Sequence, residues 1–501
     1  MSRQLTRRLA LAQLGLGGAA VLLAGCAAAP RAPAASGSTL ASVWSDPSGD
    51  GSLAVAPGAG LLDRTDLAPQ ASLEAEIARL AQITDAHVID AQSPARVPFL
   101  DRLGAPFTST FRPHETLTAQ VLGGAIAAVN AFGPDAVIQG GDLIDNAQAN
   151  ELQQALSILA GGPVLRASGT GPYVGVQSAA DPDPFYYRPD IDAPRHPGLL
   201  VAALAPFASP GLRAPTYPVL GDHDILVAGV VVPTPTTQAI AVGDRAVWDL
   251  PSGLHLPRVA AAAAAPDGLR EPGAIDALIT QLVSVPSVTV PADARRRQLS
   301  VEEVIARLTP GRDTSALLDY RFDVGPQVRV IVLDLARRQG GSGGIVHAGQ
   351  PAWLAAQLRA AGERWVIVAS HHPLDTTEGG PQLLSLLDRH PRTLAAIWGH
   401  THRNRIVPRP AGNGGYWLIA TSSLIDFPQQ ARALSVRQLA GGGVALETWM
   451  LDHVPDAGGL GDVARALSYL DAQGGRPADF QGSALDRNVR LFRAPPTRSH
   501  V

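Results

Sequence analysis

A chain of 501 residues with 46% hydrophobic and 17% charged residues and a formal net charge of -4 has ample apolar material for a core and no basic field that would draw in nucleic acid. It contains no lysine, which excludes a Walker-type phosphate loop, a Schiff base and a lysine nucleophile. Its single cysteine, Cys26, excludes an intramolecular disulfide and a cysteine-ligated metal site, so any metal must be held by His and carboxylate.

Residues 2–8 are basic and Leu9 to Gly25 is apolar and small, the layout of a secretory signal too short for a comfortable membrane span. Arg7-Arg8 after Thr6 resembles a twin-arginine export signal, and Leu23-Ala24-Gly25-Cys26 resembles a bacterial lipobox whose cysteine is lipidated. The expectation is an exported, extracytoplasmic protein with residues 1–26 as its signal peptide and Cys26 as its membrane anchor. Residues 27–72, rich in Ala, Pro, Gly and Ser without a sustained period, read as a tether.

From Leu73 onward strand and helix patterns alternate, which predicts an α/β fold. A strand over 78–84 ends in Asp85-Ala86-His87, where a period of two points Asp85 and His87 the same way. A helix over 116–132 is stopped by Gly133-Pro134, and the apolar run Ala136-Val137-Ile138 then leads into Gln139-Gly140-Gly141-Asp142-Leu143-Ile144-Asp145. A second helix spans 151–159. Residues 161–214 read as a Pro- and Gly-rich insertion before the strand 217–220, which delivers Gly221-Asp222-His223-Asp224.

Residues 227–316 form a larger insertion with an Ala-rich stretch over 260–265 and a helix capped by Ser300 and Glu303. The run Arg295-Arg296-Arg297 reads as a solvated helix start. Strands are predicted over 320–323, 328–333, 365–369, 394–398, 416–420 and 444–451, with a helix over 351–361 and another over 463–470 in a C-terminal tail. Two of these strands end in His371-His372-Pro373 and in Gly399-His400-Thr401-His402.

The strand tips therefore collect Asp85, His87, Asp142, Asp222, His223, His371, His400 and His402, imidazoles and carboxylates without sulfur that suit Zn, Mn or Fe. In this order, Asp-x-His, Gly-Asp-x-x-Asp, Gly-x-His-Asp, His-x-Pro and Gly-His-x-His resemble the motifs of the calcineurin-like metallophosphoesterases over roughly residues 78–455. The chain looks most like exported actinobacterial members with twin-arginine signals and long inserts.

The resemblance implies a four-layer α/β/β/α sandwich of two mixed sheets at 73–455, interrupted near 161–214 and 227–316, with 456–501 as a tail carrying one helix. It implies that Asp85, His87 and His402 hold one metal, His371 and His400 a second, and that Asp142 bridges the two. Position 222, Asn in the family and a ligand of the second metal, is Asp here. His223 resembles the histidine that contacts the reacting phosphate or protonates the leaving group, and Asp145 the carboxylate that fixes its ring.

The implied activity is hydrolysis of a small phosphomonoester or phosphodiester by a hydroxide held between two divalent or trivalent ions, Mn, Fe or Zn. A nucleotidase or cyclic-nucleotide phosphodiesterase is the alternative, and a surface-anchored binding protein silenced by Asp222 is a reading from another class. His372 reads as a packing or supporting group because Pro373 fixes His371 in the matching position. His114, His196, His255, His347, His390, His453 and His500 lie outside any motif and read as surface or core residues. Arg403 and Arg405 read equally as phosphate contacts or solvated surface.

Overall fold

Alternation along single strands assigns side chains to two different cores. In the strand Leu73–Ile83, Ala78 and Leu80 join one apolar cluster while Ala81 and Ile83 join another, and in Val328–Leu333 the residues Val328, Val330 and Val332 separate in the same way from Ile331 and Leu333. Strands buried on both faces in this manner need a second sheet on one side and helices on the other. The computed structural model describes residues 37–103, 110–247, 287–311, 317–455, 458–474, 476 and 478–496, and shows that arrangement.

In chain order the elements that build it are β1 (Leu62–Arg64), β2 (Leu73–Ile83), α1 (Thr118–Phe132), β3 (Ala136–Gln139), α2 (Ala149–Ala160), β4 (Thr216–Pro218), α3 (Val301–Leu308), β5 (Tyr320–Val324) and β6 (Val328–Leu333). They continue with α4 (Gln350–Arg359), β7 (Trp365–Ser370), α5 (Gly380–Arg389), β8 (Thr393–Trp398), β9 (Arg405–Arg409), β10 (Tyr416–Ala420), β11 (Gln430–Leu439), β12 (Val444–Asp452), α6 (Leu460–Gly474) and β13 (Val489–Arg493).

One seven-stranded sheet has the order β1-β13-β12-β11-β2-β3-β4, and a six-stranded sheet has the order β5-β6-β7-β8-β10-β9. Both are mixed. β2, β3 and β4 run parallel, as do β6, β7, β8 and β10, while β11 and β12 are antiparallel to their neighbours. Leu80, Ile138, Val330, Ile367, Ile397, Trp417, Leu434 and Leu491 fill the space between the sheets. Helices α1, α2, α3 and α6 pack on the outer face of the first sheet, and α4 and α5 on the outer face of the second. This is the four-layer α/β/β/α sandwich. No helix among the described residues is long and apolar enough to cross a membrane.

Three expectations need correction. Within 27–72, the described part from Gly37 is not a free tether: Ser42–Ser45 pairs with Ala54–Pro57, β1 lies parallel to β13, and the Thr39 amide donates to the Met450 carbonyl. Backbone bonding and one arginine supply much of this order, with Ala68 buried in a small apolar cluster and Leu67 packed against the core between the sheets. Arg64 is buried over the Trp417 ring and donates to the Ile406 carbonyl at 2.8 Å. The C-terminal tail is likewise part of the fold, because β13 sits between β1 and β12 with Leu491 and Phe492 fully buried.

The third correction is β11, a ten-residue strand at the middle of the first sheet that the sequence reading passed over. Within the first insertion, Gly162–Val164 pairs with Phe207–Ser209. In the described part of the second, α3 opens on the Ser300/Glu303 capping box. The twin arginines, Cys26, the Ala-rich stretch and His255 lie outside the described residues.

Candidate metal centre

The parallel strands deliver their carboxyl ends to one place, as open α/β sheets do. From the first sheet come Asp85 and His87 after β2, Asp142 after β3, and Asp222 and His223 after β4. From the second come His371 and His372 after β7, and His400 and His402 after β8. Contacts between Asp142 and His371 join the two sets at 3.1 Å.

The backbone at these tips is strained. Asp85, His87, Asp142, His400 and His402 all have positive φ, between 43° and 62°, and they are five of the eight non-glycine residues so placed among those described. Each such residue costs on the order of 1–3 kcal/mol and persists only where its surroundings over-determine it. Here the amides of Asp85 and His87 donate to the carbonyls of Gly141 and Asp142, both at 3.0 Å. Two glycines make the approach possible: a Cβ at Gly141, where φ is 96°, would stand 2.4 Å from Nδ1 of His371, and one at Gly221 would stand 2.1 Å from Oδ1 of Asp142.

Two groups that share no residue have ligand atoms within 4.8 Å of one another, Asp85, His87 and His402, and Asp222, His371, His372 and His400, while Asp142 makes such a group with His87 and His223 and another with Asp85 and His371. Asp142 stands between them, its Oδ2 3.1 Å from Nε2 of His371 and 3.8 Å from Nε2 of His87. In the first group Nε2 of His402 is 3.4 Å from Oδ1 of Asp85 and 3.3 Å from Nε2 of His87. In the second, Oδ1 of Asp222 is 3.2 Å from Nε2 of His371, 3.2 Å from Nε2 of His372 and 3.3 Å from Nδ1 of His400.

Three of the imidazoles have Nδ1 tied to an acceptor: His87 to Asp145 at 2.9 Å, His402 to Asp426 at 2.6 Å, and His371 to the Gly140 carbonyl at 2.9 Å. A carbonyl or carboxylate accepts, so Nδ1 carries the hydrogen and Nε2 keeps its lone pair for an ion. Asp145 serves His223 too, with Oδ1 3.1 Å from its Nδ1.

The donor set fits cations. Asp85, Asp142 and Asp222 are buried together, and neither oxygen of Asp222 nor Nε2 of His371 has a hydrogen-bond partner. A buried carboxylate without a partner is costly. Burial disfavours the charged ring of His223, yet Asp142 and Asp145 outweigh it and carry its pKa up to about 10. For His402, Asp426 and Asp85 likewise outweigh burial and carry it up to about 9. A field that drives protons onto the rings is one that two cations would satisfy and reverse. The centre opens on the side of His223, His400 and His402, which are 18%, 24% and 13% exposed, while the remaining ligand candidates are buried.

All nine candidates from Asp85 to His402, Asp145 included, are thus brought to one site. His372, read from sequence as a packing or supporting group, stands inside the second group with its Nδ1 unpartnered, although its Nε2 also meets the Ser342 carbonyl at 3.1 Å. Arg403 and Arg405 are engaged at the surface by Asp479 at 2.6 Å and Asp375 at 3.4 Å.

Two further residues went unread. Asp224 accepts from the amides of Asp142, Leu143, Ile144 and Gly221 and so staples the tips of β3 and β4 together. It lies inside the Gly221-Asp222-His223-Asp224 stretch, where its nearness to Asp222 was the available signal. Asp426 fixes His402 and is itself gripped by Arg112, with Nε to Oδ1 at 2.6 Å and Nη2 to Oδ2 at 3.1 Å. No spacing in the sequence marks it.

No family model matches the chain, and no curated protein matches its sequence. Among solved structures it is similar to a dimetal phosphatase from Danio rerio, at 13% identity and a TM-score of 0.38, covering 76% of this chain and 98% of that one. It is also similar to a purple acid phosphatase from yellow lupin seeds, at 11% identity and a TM-score of 0.35, covering 85% of this chain and 58% of that one. For PhoD the identity is 12% and the TM-score 0.29, with 81% and 78% covered.

Proposed function

We propose that this chain is a metal-dependent phosphoesterase acting on a small phosphomonoester or phosphodiester. The observation that carries the reading is the pair of His/carboxylate groups joined through Asp142, with buried oxygens on Asp222 left for an ion. Asp85, His87 and His402 would hold one cation, Asp222, His371 and His400 the other, with Asp142 shared and His372 within reach of the second. When bound, two such cations neutralise charge on the phosphoryl oxygens and bring water into its ionisable range near neutral pH.

The chain's own residues do the rest. The Asp145 carbonyl accepts the Nδ1 hydrogen of His223 at 3.0 Å, with the Asp145 carboxylate 3.1 Å away, and leaves Nε2 of that ring to carry a proton toward a leaving oxygen or to contact the phosphate. His223 stands on the open side of the centre, where a substrate arrives. The Asp145 carboxylate also fixes His87, so one residue orients both a metal ligand, through its side chain, and the proton carrier, through its carbonyl. Nucleotides and cyclic nucleotides are the narrower substrate classes.

Export through the twin arginines and anchoring through Cys26 belong to the same proposal and rest on the sequence of residues 1–26. Membrane fractionation of the parent against Cys26→Ser tests them, with release of the variant expected.

The test of activity is hydrolysis of nitrophenyl phosphate and bis-nitrophenyl phosphate by protein reconstituted with Mn, Zn or Fe. Turnover is expected in the parent. Asp142→Ala is expected to lose both ions and all turnover while keeping its circular dichroism. Two ions bound without turnover on any ester would leave a binding protein, and two ions retained by Asp142→Ala would overturn the site.

A further inference from the structure

A cavity of about 460 Å³ lies outside the metal centre, between the segment from Thr39 to Leu62 and the C-terminal elements. None of its lining residues belongs to either ligand group. It nevertheless backs onto the centre: Phe427 in its wall follows Asp426, the residue that fixes His402, and Gln481 in its wall follows Phe480, whose ring centre is 6.1 Å from that of His402. Its volume is in the range of small-molecule pockets, roughly 300–1,000 Å³.

The lining sorts by chemistry. Trp44 and Phe427 give flat apolar walls. Three charged side chains face in: Arg465, Arg487 and Asp452. Arg465 is spoken for, since it donates to Asp462 at 2.7 Å and to the His453 carbonyl, and its guanidinium lies 4.5 Å from the centre of the Trp44 ring. Asp452 accepts from Gln430 at 2.7 Å, and both arginines lie in its field. Arg487 makes no hydrogen bond or ion pair with any described residue, and its surroundings are partly buried.

Arg465 is already paired with Asp462, and Asp486 and Asp452 both lie in the field of Arg487, so the cavity holds no excess charge and offers one guanidinium that no contact engages. A partly buried guanidinium without a partner is costly and is satisfied by an anionic oxygen pair, which its planar fork fits in bidentate fashion. A bare inorganic anion would satisfy Arg487 and leave the aromatic walls unfilled.

We infer that this cavity is a binding site for a small organic anion, with its carboxylate, phosphate or sulfonate group on Arg487 and a flat apolar body against Trp44 and Phe427. The site is separate from the hydrolytic reading and stands whether or not the metal centre turns over esters.

The test uses metal-loaded full-length protein and the fluorescent anion anilinonaphthalene sulfonate, with neutral phenylnaphthylamine as the uncharged comparison. Saturable uptake of one equivalent of the anion is expected, undisturbed by inorganic phosphate at concentrations that fill the metal centre. Arg487→Gln should weaken it by about tenfold or more and Arg487→Lys by less, the loss of one charge-assisted contact, while the neutral compound binds both variants alike. Arg213→Gln, an exposed arginine elsewhere, should change nothing, and melting temperatures confirm that each variant is folded. Equal affinity in Arg487→Gln, displacement by phosphate, or no saturable uptake by the parent would each overturn the assignment.

Discussion

Asp426 shows how far the support of a candidate metal ligand extends. His402 donates to it, Arg112 clamps it with two bonds, and the Arg112 amide donates to Glu115, which also takes a bond from Arg96. His114, unmarked in the sequence, meets the Ile425 carbonyl beside it at 2.6 Å. Loss of such a partner costs about 10–100-fold in metal affinity. Asp426→Asn is therefore expected to weaken the ion held by Asp85, His87 and His402 by that factor while the other is retained, as metal analysis after dialysis would show. Asp222 makes the opposite case, a ligand position with a charge that Asn would lack. Asp222→Asn should release the second ion more readily to chelator and bind inorganic phosphate more tightly, and no change in either would remove Asp222 from the coordination sphere. The ligands on strand tips were legible because each follows an apolar run. Asp426 was not, since it lies in the loop Ser422 to Phe427 and meets a residue 24 positions earlier and another 314 positions earlier.

At the scale of elements, β11 explains why a central strand can be hard to read. Ala431, Ala433, Leu434 and Val436 are buried, but Arg432 interrupts them and is fully buried as well. Its guanidinium is satisfied by Thr421, Thr448, the side chain of Asn404 and the carbonyls of Ala420 and Asp486. Burial without a carboxylate in contact lowers its pKa to about 9, with only the field of Asp486 opposing. A charged residue in mid-strand breaks the apolar pattern that sequence reading depends on, and only neighbours distant in the chain repair it. Strands such as β7 and β10 carry no such interruption and are found where the sequence places them. Leu434 fills the space between the sheets, so Leu434→Ala should destabilise the protein by about 2–5 kcal/mol. The denaturant midpoint would fall with its slope unchanged, and a shift within error would mean that β11 is not part of the core.

For the molecule as a whole, the α/β class was legible in the alternation of strand and helix and the four layers were implied by the motif resemblance, whereas the extent of the folded unit was legible in neither. Gly- and Pro-rich text before Leu73 hides strands held by backbone bonds, and the short β13 hides in Arg-rich text. The contact between layers also carries a pH response. His453 follows β12 and packs against Gly124 of α1 and Gly461 of α6, with both ring nitrogens unpartnered. Burial, with Arg465 nearby, holds its pKa well below the ordinary 6.5. Above about 6.5 the ring is neutral in folded and unfolded chains alike and stability does not change with its titration. As pH falls below that value the unfolded chain takes up the proton first, so stability is lost progressively toward the folded pKa. His453→Gln should flatten the fall in melting temperature between about pH 7 and pH 5 relative to the parent, both metal-loaded. An identical slope would acquit His453.

The position of β13 has a consequence in time. It lies between β1 and β12, so the first sheet needs a strand that is made after all its other strands. A ribosome translating this message holds back the strand that β1 needs until nearly every other element is out. While translation continues, β1 and the exposed edge of β12 wait without their partner. A chaperone that shields that edge would have its work concentrated in the interval before Val489–Arg493 emerges, and the completed sheet would report that this strand had left the ribosome.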